Sequence, residues 1–151
     1  MNEIEQKKII FFGCPLDSDE RDESIREKIA MVDRHSESSD PYHFIMEIIR
    51  RDVESGLWSE LPSIDVPGWL KAIPSIDSIG QISTKDFVNF IDKGGCEEYS
   101  ERVSKLITER IYPNIPCMLG IDHSLTGGAF AALSELYGRN TISLVIIDSH
   151  L

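Results

Sequence analysis

Residues 115–148 read IPCMLGIDHSLTGGAFAALSELYGRNTISLVIID, and this stretch decides the fold. An apolar run, IPCMLG, ends in a glycine. The next residues, SLTGGAFAALSELYG, have the length of a helix and its closing glycine. A second apolar run then spans Ile142–Ile147. A strand, a helical crossover and another strand predict a parallel pair, so the fold class is α/β. The glycines of TGGA predict a helix start whose small residues lie close to the sheet. A phosphate cradle is the alternative reading, although no G-x-G-x-x-G or Walker pattern accompanies them.

Both strands end in polar clusters, Asp122-His123-Ser124 and Asp148-Ser149-His150. In open parallel sheets, function gathers outside the carboxyl ends of the strands. In an extended strand end, residues two apart point the same way, so Asp148 and His150 aim together. A carboxylate and an imidazole so placed form half a site for a divalent transition metal such as manganese or zinc. His123 is the candidate third ligand. Asp122, with Ser124, is expected to hold a ligand in orientation. One Asp-His pair at a strand end is commonly a capping or loop interaction; the recurrence on both strands favours metal.

Toward the amino terminus, Ile9–Phe12 is a continuous apolar run, the mark of a strand buried on both faces, ended by Gly13 and Pro15. The charged segment DSDERDESIREKIAMVDRH carries a narrow helical stripe at Ile25, Ile29 and Val32, with Ser18 or Asp19 as a cap and the charges as a solvated face. Tyr42–Val53 reads as a second helix, with its stripe at Phe44, Ile45, Ile48, Ile49 and Val53. Pro62, Pro67 and Pro74, together with three glycines, make 55–83 loops and short pieces. STKDFVNFIDKGG predicts a helix capped at Ser83 or Thr84. CEEYSERVSKLITERIYP predicts a stronger one, periodic through Tyr99, Val103, Leu106, Ile107 and Ile111. His35 and His43 read as surface residues, and Trp58 and Trp69 as packing anchors.

A chain of 151 residues suits one domain, 1–151, with 41% hydrophobic and 27% charged residues. The formal net charge of −11 argues against nucleic acid and favours cationic ligands. No run approaches the roughly 20 apolar residues of a membrane helix. Three widely spaced cysteines, Cys14, Cys96 and Cys117, form no zinc pattern and suit a reducing cytoplasm.

Taken together, LGIDHSLTGGAFAAL, ISLVIIDSHL and the opening IIFFGCPLD resemble the arginase, agmatinase and formiminoglutamase group, the ureohydrolases. Gly120-Ile121-Asp122-His123-Ser124 matches the family's Gly-Gly-Asp-His-Ser signature. Asp148-Ser149-His150-Leu151 matches Asp-Ala-His-x-Asp up to the last residue. The resemblance implies an αβα sandwich with a parallel sheet, incomplete at its carboxyl end, and a pair of manganese ions (Mn2+). It also implies that His123 binds one metal, His150 the other, and that Asp148 bridges both. The implied reaction is hydrolysis of a guanidino or amidino carbon in a small cationic substrate. On this reading the chain is the amino-terminal part of such a hydrolase, inactive alone, with its catalytic residues beyond Leu151. Its expected partner is then a missing carboxy-terminal half, or a further copy in a homo-oligomer. The alternative is a non-catalytic arginase-like module for assembly or partner binding.

Overall fold

In the computed structural model, which describes residues 6–32 and 41–143, three parallel strands form an open sheet. The strands are β1 (Ile9–Cys14), β2 (Trp58–Glu60) and β3 (Ile115–Gly120), in the order β2-β1-β3. Among the described residues five α-helices pack around them: α1 (Asp22–Val32), α2 (Pro41–Asp52), α3 (Thr84–Asp92), α4 (Gly95–Leu106) and α5 (Thr126–Tyr137). The class is α/β with a parallel sheet, as expected. The expected strand at 142–147 lies, apart from Ile142 and Ser143, outside the described residues.

β1 is the central strand, and its pairing with β3 runs from Ile9 opposite Ile115 to Cys14 opposite Gly120. It passes through Gly13 rather than ending there. Ile10, Phe12 and Cys14 point into the main core with Phe87, Tyr99, Val103, Ile107 and Leu125. Burying each large side chain of this kind contributes about 1.5–3 kcal/mol. On the opposite face Gly13 lies under Tyr42 of α2, where a Cβ would stand 2.8 Å from the ring. The Tyr42 hydroxyl donates to the Leu61 carbonyl (2.8 Å), tying α2 to the end of β2. Helices therefore cover both faces of the sheet.

Several local features depart from the sequence expectations. In α2 the buried residues are Tyr42 and Met46, whereas Phe44, Ile45, Ile48 and Val53 of the expected stripe are exposed. β2 is a three-residue strand inside the segment read as loops, and Trp58 anchors it edge-on against Phe11. After α4 the helix widens into a π turn over Ile107–Ile111, closed by the Tyr112 amide donating to the Ile107 carbonyl (2.9 Å). Tyr99, Val103, Ile107 and Ile111 recur every fourth residue, which outruns a turn of about 3.6 residues. The wider turn returns Ile111 to the buried face.

In α1, Ile25 and Val32 of the expected stripe are buried, but Ile29 is exposed and Lys28, expected on the solvated face, takes its place; His35 lies outside the described residues. Ser83 caps α3, its hydroxyl accepting from the Asp86 amide (3.2 Å) while the Asp86 carboxylate accepts from Ser83 in return. Trp69 packs edge-on against Phe87 and Phe90, and His43 is exposed. Among the described residues no helix is long and apolar enough to cross a membrane.

Candidate functional site

Because Cys14 and Gly120 pair, β1 and β3 end level with each other. The chain leaves β1 toward β2 on one side and later enters β3 on the other. The gap between the carboxyl ends of β1 and β3 is therefore the topological switch point, where open α/β sheets bind their ligands. The loops after both strands meet there.

Asp122 joins them. Its Oδ2 accepts from the Ser18 amide (2.7 Å) and the Ser18 hydroxyl (2.9 Å) in the β1 loop. Its Oδ1 accepts from the Ser124 amide (2.8 Å) and from the Ser124 hydroxyl. Four donors on one half-buried carboxylate fix both loops. Behind it, Leu125 is buried in the core and the Thr126 amide donates to the His123 carbonyl (3.1 Å). Asp122 and Leu125 thus hold the loop on either side of His123, whose side chain is exposed at the strand end.

Of the sequence-derived site residues, the structure brings Asp122, His123 and Ser124 to the switch point. Asp148 and His150 lie outside the described residues. Among the described residues no group of three or more His, Cys, Asp or Glu lies close enough to hold a metal. The donor types nevertheless fit a divalent transition ion: an exposed imidazole at a strand end, in a loop braced by a carboxylate.

Sequence reasoning missed Ser18 as a partner of Asp122 and assigned it only as a helix cap. Asp19 takes the local role, accepting from the Arg21 amide (3.1 Å) and the Ser24 hydroxyl (2.6 Å) ahead of α1. The Arg21 guanidinium beside it holds the Asp19 carboxyl well below the usual carboxylate range. A serine shortly after a buried strand, on the functional edge of the sheet, was the available signal.

The TGG glycines also differ from expectation. Gly128 packs against α4 rather than the sheet: a Cβ there would stand 2.3 Å from the Ser100 carbonyl oxygen. Beside this contact, Cys96, Ser100, Glu101, Ser124 and Gly127 line a groove of about 420 Å³.

Burial is the main influence on the Cys96 thiol and pushes its pKa up. The Ser18 hydroxyl opposes that rise, and the Asp122 charge adds to it. Cys96 is therefore expected to react with iodoacetamide more slowly than a free cysteine at pH 7. Its rate should still be climbing above about pH 8.5, where an unperturbed thiol is half ionised. A pH–rate profile by mass spectrometry checks this; a plateau below that pH contradicts it.

The class the geometry defines is a parallel α/β fold with a braced histidine loop at its switch point. Within that class, the family model described as the arginase family matches residues 7–151, and the chain belongs to the arginase family. No curated protein and no solved structure matches the chain.

Proposed function

We propose that this chain carries the amino-terminal ligands of a binuclear manganese site in a ureohydrolase. His123, Asp148 and His150 would hold the ions. The observation that carries this reading is the Asp122 brace, which holds the His123 loop at the β1–β3 switch point in a chain of the arginase family. A guanidinium or amidinium carbon is a poor electrophile, and manganese supplies water activation near neutral pH. The residues of this chain supply position. Asp122 and Ser124 restrain the loop, and Leu125 anchors it in the core, so the His123 backbone is held before any ligand arrives.

The substrate class is a small cation bearing a guanidino or amidino group, consistent with the net charge of −11. Cys14, Cys96 and Cys117 are in no disulfide, which fits the reducing cytoplasm. His123, Asp148 and His150 make a partial ligand set, so the remaining carboxylates come from a carboxy-terminal portion. The decisive assay measures urea or amine release from arginine, agmatine and formiminoglutamate with manganese present. The 151-residue chain alone is expected to be silent, and the chain joined to a family carboxy-terminal portion active. Silence of that complete, manganese-loaded protein on all guanidino and amidino substrates overturns the proposal in favour of a non-catalytic module.

A further inference from the structure

Lys28 is a buried charge, 4% exposed, that the proposed chemistry does not use. It lies on the face of α1 that buries Ile25 and Val32. Leaving an ammonium unpaired there costs several kcal/mol, so its partners define its role. Nζ is 2.9 Å from Asp17 Oδ1, donates to the Asp17 carbonyl (3.1 Å), and stands 4.3 Å from the centre of the Phe87 ring. Asp17 is further fixed by its amide, which donates to the Leu70 carbonyl (2.8 Å). Its Oδ1 also accepts from the Asp19 amide (3.2 Å). The next residue is Ser18, which gives both of its donors to Asp122.

The contacts form a continuous path from α1 to the His123 loop. Lys28 fixes Asp17, Asp17 sets the backbone of Ser18, and Ser18 holds one oxygen of Asp122. The other oxygen holds Ser124, next to His123. We infer that Lys28 is a positioning residue: its ion pair with Asp17 sets the β1 loop that braces the His123 loop through Asp122. The consequence for metal binding rests on the proposed function; the bracing itself does not.

Amide hydrogen exchange on the 15N-labelled full chain separates this role from simple packing. The Ser18 and Ser124 amides both donate to Asp122, so they report the brace, whereas α4 amides report global stability. Lys28→Met is expected to accelerate exchange at Ser18 and Ser124 at least tenfold more than in α4. Equal acceleration everywhere, or none at the two serines, overturns the inference. If Lys28→Met does not fold, Asp17→Asn breaks the same pair with little change of shape and carries the same criterion. A manganese titration of the chain joined to a family carboxy-terminal portion reads the metal site independently. Absence of manganese binding there defeats the metal reading, while the exchange result still decides the role of Lys28.

Discussion

Gly128→Ala is expected to destabilise the protein by about 2–3 kcal/mol, although alanine is the better helix former by about 1 kcal/mol. The added methyl would meet the backbone of α4, 2.3 Å from the Ser100 oxygen and 2.8 Å from its carbonyl carbon. Backbone in the middle of a helix cannot rotate away as a side chain can, so α4 and α5 must separate. That opens the core between Val103 and Ala132, both fully buried. For a chain this size the melting temperature should fall by about 5–10 °C. The neighbouring glycine is the control, because a Cβ at Gly127 meets nothing within 4 Å. Gly127→Ala should be neutral or stabilising by up to about 1 kcal/mol. Equal effects of the two substitutions would remove the close approach of the helices as the reason for Gly128.

Asp122→Ala should cost about 2–4 kcal/mol and uncouple the two strand-end loops. The estimate counts charge-assisted hydrogen bonds at about 1.5–3 kcal/mol each, discounted because all four share one carboxylate and are not additive. Ser18 and Ser124 keep access to water, which limits the penalty further. Asp122→Asn should fall between, since its amide nitrogen must face donors on one side. Thermal unfolding gives the magnitude. A double-mutant cycle with Ser18→Ala gives the coupling, expected at about 1 kcal/mol or more. Additive effects of Asp122→Ala and Ser18→Ala would contradict the brace.

The strand–helix portion around the site was legible because IPCMLG and SLTGGAFAALSELYG carry their periodicity and punctuation locally. So was the polar cluster after β3, where Asp122, His123 and Ser124 are consecutive. What was not legible depends on contacts across the fold. Lys28 sits in a charge run that reads as solvated, and only Asp17 and Phe87, brought beside it by tertiary packing, make its burial tolerable. The α2 stripe misled because its apolar residues outnumber those the sheet can cover. Tyr42, which fits over Gly13, and Met46 are the ones buried. β2 is too short to show alternation and exists through its pairing with β1. The four-residue spacing in α4 was visible, but the π turn that accommodates it was not.

Manganese titration followed by electron paramagnetic resonance, on the chain joined to a family carboxy-terminal portion and on its His123→Ala variant, tests the central claim most directly. The account predicts that the joined protein removes the aqueous manganese signal and that His123→Ala weakens its binding about tenfold or more. Exchange at Val103 and Ile107 should stay unchanged in that variant, because the His123 side chain is exposed and outside the core. Identical manganese binding curves for the two proteins, or no binding by either, would contradict the assignment of His123 as a ligand.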